Sequence, residues 1–186
     1  MVKMIGNFFQ KIGKLFLDFI ESIVMALSVF VIIYLFLFQP HQVRGSSMYP
    51  NFHDGEYILT DKITYRLREP KEGDVIIFRA PKNEEYDYIK RIIATPGKCV
   101  QIINGKVYID GKPLEEPYLP PDYTTSPGGF LRAGQTVCVP EKNYFVLGDN
   151  RSHSSDSREW GFVPQQNIIG KAFFRYWPPS RFGKIE

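Results

Sequence analysis

The apolar positions of the chain follow two patterns, and the first is a helical pattern near the N-terminus. Segment 22–38, SIVMALSVFVIIYLFLF, contains no charged residue. At about 1.5 Å per residue, its roughly 17 residues would span about 26 Å, close to the thickness of a bilayer's hydrocarbon core. Upstream, Phe8, Ile12, Leu15 and Phe19 recur at helical spacing. The pattern predicts an amphipathic interfacial helix that leads into a single membrane span.

The distribution of basic residues predicts the orientation of this span. Lys3, Lys11 and Lys14 precede it and only Arg44 follows closely, so the positive-inside rule places the N-terminus in the cytoplasm. A cleaved secretory signal is disfavoured because the apolar run is long and no small-x-small site follows it. A buried core helix is disfavoured because the segment is apolar on every face. The expected organisation is a cytoplasmic amphipathic segment at 1–21, a transmembrane anchor at 22–39 and an extracytoplasmic domain at 40–186.

The second pattern begins after residue 40, where short runs rich in Val, Ile, Tyr and Phe alternate with turn signals. Asn104-Gly105 predicts the tight turn of a hairpin within CVQIINGKVYID, and Asp110-Gly111 marks the next turn. The other predicted strands are EYILTDKITY, DVIIFRA, YIKRII, TVCVP, YFVLGD and KAFFRYWP. The segment EEPYLPPDYTTSPGGF is too rich in Pro and Gly for regular structure and predicts an exposed loop. Together these elements predict an all-β barrel or sandwich-like domain.

Composition narrows the class of protein without changing this picture. The 186 residues suit one soluble domain plus an anchor, and 44% hydrophobic with 23% charged residues fits neither a disordered chain nor a multi-span membrane protein. The net charge of +3 comes without a long Lys/Arg cluster, so nucleic acid is not an expected partner. Cys99 and Cys138 lack a CxxC or His-rich context, which argues against a zinc site. Whether these two cysteines pair is left open by the sequence.

Two adjacent serines follow the apolar run, in the stretch RGSSMYPNF. A serine hydroxyl is a weak nucleophile near neutral pH and needs a base and oxyanion donors to react. From the residues alone, Ser46 and Ser47 are equally eligible, and either could serve only as a turn residue. A Ser-His-Asp triad is arithmetically possible, although no local pattern supports one. Its candidate members are His41, His53, His153, Asp54, Asp149 and Asp156.

Lysine is the other candidate base, and it must be desolvated to be neutral. On the predicted strand DYIKRII, Lys90 shares a face with Tyr88 and Ile92, whereas Arg91 points the other way, where it can be solvated or paired. The alternative is a lysine on an edge strand whose amine reaches solvent. Both interpretations of Lys90 remain open at this point.

The segment GDNRSHSSDSREWGFVP, residues 148–164, concentrates short hydrogen-bonding side chains after a hydrophobic strand. One interpretation is a set of Asx and Ser turns that hold the backbone. The other is a scaffold that orients a catalytic side chain.

The motifs SSMYP, EGDVIIF, DYIKR, PG and GDNRSHSSDSREWGFVP, in this order behind an N-terminal anchor, resemble the bacterial type I signal peptidases. The resemblance covers essentially the whole chain after Pro40. It implies a mainly antiparallel β fold of the signal-peptidase/LexA-like kind and a Ser/Lys dyad. By match to the motifs, Ser47, which precedes the Met, is the nucleophile and Lys90 is the general base. The resemblance also makes Ser154 the serine that orients the lysine.

Further roles follow from the same resemblance. Asp156 and Arg158 match the ionic pair that supports the site. The family binds its substrate as an added strand, with shallow pockets for small residues at the first and third positions before the cut. Residues Val43, Met48, Phe52, Tyr88 and Ile89 are the expected pocket walls. The implied substrates are signal peptides of secreted preproteins, cleaved after small-x-small motifs through an acyl-enzyme.

The implied protein is a monomer in the bacterial cytoplasmic membrane, in contact with lipid, with no metal and no cofactor. The chain departs from the family pattern at two positions. Gly45 replaces a serine that aids the oxyanion hole in some members, and His153 stands where Asn is more usual. The oxyanion hole is therefore expected to use backbone N–H groups, chiefly that of Ser47.

Two rival functions remain. A self-cleaving protein of the LexA-repressor type shares the fold and the dyad, but it would need a DNA-binding domain and its own scissile loop. A membrane-anchored β module that binds a partner would make the motifs coincidental turns.

Overall fold

The computed structural model describes residues 2–81 and 85–185, with the side chains of 11–34 and of 36 onwards within those ranges. The chain divides into two compact units, Met1–Phe38 and Gln39–Glu186. The first is formed by helix α1, Val2–Phe36. Its part Lys11–Tyr34 has 24 residues and a mean hydropathy of 2.3, which makes it long and apolar enough to cross a membrane. The helix is compatible with the predicted anchor, which stays a prediction.

The helix ends earlier than the apolar run that predicted it. Phe38 and Gln39, which fell inside the predicted anchor, open strand β1. The apolar side chain of Phe38 suits a helix or a strand equally, while Pro40 cannot donate the backbone hydrogen bond that would continue a helix. The amphipathic interpretation of segment 1–21 depends on Phe8 and Lys3. The side chains of these two residues lie outside the described part of the structure, as does residue 1.

The second unit consists of short strands, as the sequence predicts. The strands are β1 Phe38–Gln42, β2 Tyr57–Asp61, β3 Val75–Arg79, β4 Asp87–Ala94, β5 Cys99–Ile103, β6 Lys106–Ile109, β7 Lys112–Pro113, β8 Thr136–Cys138, β9 Asn143–Leu147, β10 Val163–Pro164, β11 Ile168–Trp177 and β12 Gly183–Lys184. Two one-turn helices, α2 Thr64–Leu67 and α3 Ser157–Trp160, and two 3₁₀ turns, Gln165–Asn167 and Pro179–Arg181, complete the described elements.

The strands form two sheets. The larger has the order β1-β2-β11-β3-β4-β9-β10 with β12 paired to β11, and the smaller has the order β7-β6-β5-β8. The strand pairs with a described register are antiparallel. The prediction of a mainly antiparallel β fold is therefore confirmed.

Local turn chemistry explains one prediction that held and one that failed. Asn104 and Gly105 both have positive φ, 48° and 77°, and join β5 to β6 as the hairpin pattern predicts. The predicted strand EYILTDKITY is wrong in its second half. The side chain of Asp61 accepts hydrogen bonds from the backbone N–H groups of Ile63 and Thr64, which ends β2 and starts α2.

One covalent bond links two strands of the smaller sheet, and hydrogen bonds from a buried arginine anchor the loop. Cys99 and Cys138 are directly opposite on β5 and β8 and form a disulfide. Segment 115–130, predicted as an exposed loop, has no helix or strand. It is nevertheless anchored, because buried Arg151 donates hydrogen bonds to Glu116 and to Thr125 Oγ1. The side chain of Thr125 is buried, so the prediction of exposure is wrong at this residue.

The larger sheet leaves two strand edges open beside each other. Residues 87–90 of β4 pair with β3 on one edge, but pairing with β9 on the other edge begins only at Arg91. Strand β1 lies at the end of the strand order, with β2 as its neighbour. Residues 41–44 and 87–90 border the same cavity, so these two strand edges lie on either side of it.

Candidate active site

Ser47 lies in a tight turn that follows β1. Gly45 has φ +82°, and its backbone N–H donates to Asp54 Oδ1 at 2.7 Å, which fixes the entry of the turn. A residue with a Cβ would be strained at this φ, so glycine serves the turn geometry. On the exit side, Met48 and Phe52 are almost fully buried in the core. The serine is therefore presented from a firmly held loop.

The loop after β9 holds the same turn from the other side. The backbone N–H of Asn150 donates to the Ser47 carbonyl at 3.0 Å, and its side-chain Nδ2 donates to the Ser46 carbonyl at 3.0 Å. Among the described residues, the Ser47 backbone N–H donates to no partner. This leaves one N–H at the serine that is available to an incoming oxyanion.

Lys90 meets Ser47 at the centre of the site. Its Nζ lies 2.8 Å from Ser47 Oγ and donates to the Ile89 carbonyl at 2.9 Å. The Tyr88 ring lies 5.5 Å from the amine. The residue is only 4% exposed, so the alternative of an edge-strand lysine reaching solvent is wrong. Burial lowers the pKa of Lys90 from 10.5 to about 8, although the carboxylates of Asp156 and Asp149 partly oppose the shift.

A buried ion pair lies on the face of β4 opposite to Lys90. Arg91 donates from Nε to Asp149 Oδ1 at 2.9 Å and from Nη2 to Oδ2 at 2.8 Å. Asn51 donates to the same carboxylate at 2.8 Å, and the Tyr118 ring lies 4.0 Å from the guanidinium carbon. Arg91 was expected to be solvated or paired, and it is paired. Its partner was not predicted, since 58 residues separate the two and only the alternation of β4 indicated that Arg91 faces away from Lys90.

The expected ionic pair of Asp156 and Arg158 is present. Arg158 Nε lies 2.8 Å from Asp156 Oδ1, and Nη2 lies 2.9 Å from Oδ2. Asp156 also accepts the Gly148 backbone N–H at 3.0 Å and caps helix α3. The pair thus links the end of β9 to the start of α3 beside the lysine.

Ser154 is placed against Gly148 rather than on the lysine. Its hydroxyl oxygen is buried and makes no hydrogen bond among the described residues, so the expected contact with Lys90 is not formed. A Cβ at Gly148 would collide with this hydroxyl and with the Ser47 carbonyl. The three residues are therefore packed too closely for any side chain at position 148.

None of the three histidines hydrogen-bonds Ser47 within the described part of the chain. His41 contacts Thr60, His53 contacts Arg181, and His153 contacts Ser152. The Ser-His-Asp arrangement is therefore not formed around Ser47. His153 is exposed and bonded to its own neighbour, which places it outside the Ser47–Lys90 contact.

A cavity of about 270 Å³ opens next to Ser47 and Lys90. Of the five expected wall residues, Val43, Tyr88 and Ile89 line it, whereas Met48 and Phe52 lie in the core and do not. A larger depression of about 760 Å³ lies elsewhere on the domain and contains no serine and lysine in contact. Among residues 2–81 and 85–185, no group of three or more His, Cys, Asp and Glu side chains is arranged to hold a metal ion.

Loss of Arg91 should reveal how strongly the buried pair holds the site. Arg91→Leu is expected to lower the free energy of unfolding by about 3–5 kcal/mol, because it leaves the Asp149 carboxylate buried without its partner. Chemical denaturation of the full chain in detergent measures this. Arg68→Leu is the matched control: Arg68 is part-exposed, Asp74 keeps Lys171, and a loss of about 1 kcal/mol or less is expected. Equal losses in the two variants would contradict the prediction.

The chain is similar to known proteins over most of its length. Residues 16–177 match the family model described as "Signal peptidase, peptidase S26". The chain is 39% identical over 175 residues to "Probable signal peptidase I-1" of Synechocystis sp., which covers 89% of this chain and 85% of that protein. It is 36% identical over 180 residues to "Signal peptidase IB" of Staphylococcus aureus, with 91% and 93% covered. A crystal structure of a signal peptidase I from Enterococcus faecalis V583 is 32% identical, covers 56% of this chain and 97% of that one, and has a TM-score of 0.47.

Proposed function

The chain belongs to the peptidase S26 family of signal peptidases, serine endopeptidases that remove signal peptides, and on this premise we propose that it cleaves them with a Ser47–Lys90 dyad. The observation that carries the proposal is the 2.8 Å contact between a serine hydroxyl and a buried lysine amine. A serine needs a neighbouring base, and a lysine is a base only when it is neutral. Membership of a family of endopeptidases argues against the alternative that the chain is a non-enzymatic binding module.

The reaction begins with neutral Lys90 accepting the proton of Ser47 Oγ as that oxygen attacks the scissile carbonyl. The negative charge that develops on the carbonyl oxygen faces the backbone N–H of Ser47. Protonated Lys90 then gives its proton to the leaving amine, and the acyl-enzyme remains on Ser47. Lys90, neutral again, takes a proton from water, the hydroxide attacks the ester, and the proton returns to Ser47 Oγ as the signal peptide leaves.

The substrate is proposed to enter as a strand between the open edges at 41–44 and 87–90. Backbone hydrogen bonds to both edges would supply binding, and alternate side chains would face the cavity. Val43 and Ile89 form its apolar walls, which favours small residues at the first and third positions before the cut. Single-methyl discrimination is worth only about 1–3 kcal/mol per pocket, so sharing a bilayer with the signal peptide adds to specificity.

The residues around the dyad are proposed to support it without reacting. Asp156 and Arg158 hold the loop beside the lysine, and Ser154 is proposed to orient the amine, since its buried hydroxyl has no other partner among the described residues. The N-terminus is proposed to be cytoplasmic, with the second unit outside the cell. The Cys99–Cys138 disulfide supports this orientation, because disulfides persist in oxidising compartments.

The direct test is cleavage of a preprotein that carries a small-x-small site, by the full chain in detergent. Mass spectrometry of the two products is expected to locate the cut after the second small residue. Cleavage at another position would contradict the proposed pockets, and no cleavage of any preprotein would contradict the proposed function.

The pH dependence of the same reaction tests the base. Since only neutral Lys90 accepts the serine proton and its pKa is lowered to about 8, kcat/KM should rise about tenfold per pH unit below 8 and level off above it. Measurement from pH 5.5 to 10 checks this, with unfolding monitored at each pH. A profile that levels off near pH 6.5 would indicate a histidine base instead.

A further inference from the structure

A polar pair lines the same cavity as the dyad. His41 on β1 and Asp87 on β4 both line it, and His41 Nε2 lies 3.3 Å from Asp87 Oδ2. The two residues belong to the two open edges, so the pair bridges the gap that the proposed substrate strand would occupy. No step of the proposed mechanism uses either residue.

A continuous part of the cavity lining is apolar. Val43, Ile58, Ile77 and Ile89 line it, and all four belong to one buried hydrophobic cluster. A few polar groups in an otherwise apolar pocket are what fixes ligand specificity. The pair is thus placed to decide which side chain the pocket accepts.

The hydrogen bonds of His41 determine what the pair offers. Its Nδ1 lies 2.8 Å from the hydroxyl of Thr60, which is fully buried. Burial lowers the pKa of His41, although Asp87 opposes this, so the ring is neutral near pH 7. In the neutral ring, Nδ1 can accept the Thr60 proton, whereas the buried Nε2 forms no hydrogen bond among the described residues, although Asp87 Oδ2 lies 3.3 Å from it. The carboxylate oxygens of Asp87 therefore have acceptor capacity to spare.

Asp87 remains open to a ligand from the cavity side. Its side chain is 36% exposed, and His41 is its described ion-pair partner. Arg79 is its register neighbour on β3 and is itself exposed, and Lys62, which follows β2 and donates to Gln39 Oε1 on β1, acts electrostatically on His41. Because Asp87 is partly exposed, water weakens any hydrogen bond that it accepts from a ligand. We therefore expect this hydrogen bond to have only a moderate effect on substrate preference.

This step rests on the proposed function: strand geometry indicates where the third substrate residue before the cut lies in the cavity. Side chains that share a face of a strand are about 6.6 Å apart, so the third residue before the cut faces the cavity one step beyond the first. On β4 the same step leads from Ile89 to Asp87. The third residue thus packs on Ile89 with its outer end at the His41–Asp87 pair.

We propose that the His41–Asp87 pair makes this pocket select a side chain that donates a hydrogen bond, such as threonine or serine, at the third position before the cut. Threonine and valine have nearly the same shape, but an all-apolar pocket favours valine because the hydroxyl would be buried without a partner. The Asp87 carboxylate gives that hydroxyl an acceptor, which reverses the preference.

The test uses two preproteins that differ only in threonine or valine at the third position, with the full chain in detergent. For the wild type, kcat/KM is expected to be about three- to tenfold higher with threonine. Asp87→Ala should lower this ratio at least fivefold, mainly by loss of activity on the threonine substrate. Asp110→Ala is the matched control, because it removes an equally exposed carboxylate with an ion-pair partner, Lys98, from the smaller sheet, and it should keep the wild-type ratio.

Each outcome separates this inference from the proposed function. If wild type and Asp87→Ala show the same ratio while both substrates are cleaved, the selection is wrong and the peptidase function stands. If the wild type cleaves neither, the proposed function fails and the selection fails with it. Asp87→Asn keeps the size of the side chain, so if the alanine variant does not fold, the asparagine variant decides. Its ratio should fall about threefold, and an unchanged ratio would overturn the proposal.

Discussion

Ser47→Ala is expected to reduce preprotein cleavage by about 10⁴-fold or more, whereas Ser46→Ala should keep most of the activity. Removal of a nucleophile from a catalytic unit has effects of this size in serine hydrolases. The two serines are adjacent, but only Ser47 has its hydroxyl on the Lys90 amine. Ser46 is exposed, and the site uses only its backbone carbonyl, which every residue has.

The comparison of the two variants is informative because the fold should be the same in both. Rates are measured with one preprotein under single-turnover conditions, and thermal unfolding confirms that both variants are folded. Similar losses in the two variants would show that the turn geometry, and not the Ser47 hydroxyl, limits the reaction. Activity of Ser47→Ala near that of the wild type would exclude Ser47 as the nucleophile.

Lys90→Met is expected to abolish cleavage and to stabilise the protein at the same time. A lysine whose pKa falls from 10.5 in the unfolded chain to about 8 in the folded one destabilises the fold by about 3 kcal/mol at neutral pH. Methionine fills nearly the same volume without a charge to desolvate. A gain of about 2–3 kcal/mol in the free energy of unfolding is therefore expected, with activity lost by about 10³-fold or more.

The pH dependence of this gain gives it a distinct signature. Between pH 8 and 10.5 the unfolded wild type binds a proton that the folded protein has released, so wild-type stability rises with pH in this window. The advantage of Lys90→Met should accordingly be largest below pH 8 and vanish above 10.5. Lys171→Met is the matched control: Lys171 lies 2.7 Å from Asp74, so its loss should destabilise the protein. A destabilised Lys90→Met would show that the amine is held by favourable contacts and is not strained by burial.

Much of the fold could be predicted from the sequence, because the patterns that indicate helices, strands and turns involve residues close together in the chain. The charge-free apolar run predicts α1, and alternation with Asn-Gly punctuation predicts the β5–β6 hairpin. The end of β2 was missed because the capping by Asp61 competes with a strand pattern that continues past it. The second half of EYILTDKITY looks like a strand only when side-chain hydrogen bonds to the backbone are ignored.

The residues of the candidate site could be predicted from the sequence only where they belong to motifs that occur in a fixed order. The motifs singled out Ser47 and Lys90, yet the residues alone left Ser46, three histidines and a solvent-reaching lysine as alternatives. The choice depends on burial and on contacts across 43 positions of chain. The same holds for the pairs Arg91–Asp149 and His41–Asp87, whose members lie on different strands.

By itself, the sequence determined the apolar helix, the succession of antiparallel strands and hairpins, and the identity of the residues available for chemistry, since these follow from periods of 3.6 and 2 and from turn residues. The tertiary structure alone decided which of those residues meet, which are desolvated, and which strand edges stay open. The physical reason is that a pKa, an ion pair or a pocket depends on the dielectric surroundings and on distances of a few ångströms between remote segments. A local pattern of residues contains neither quantity.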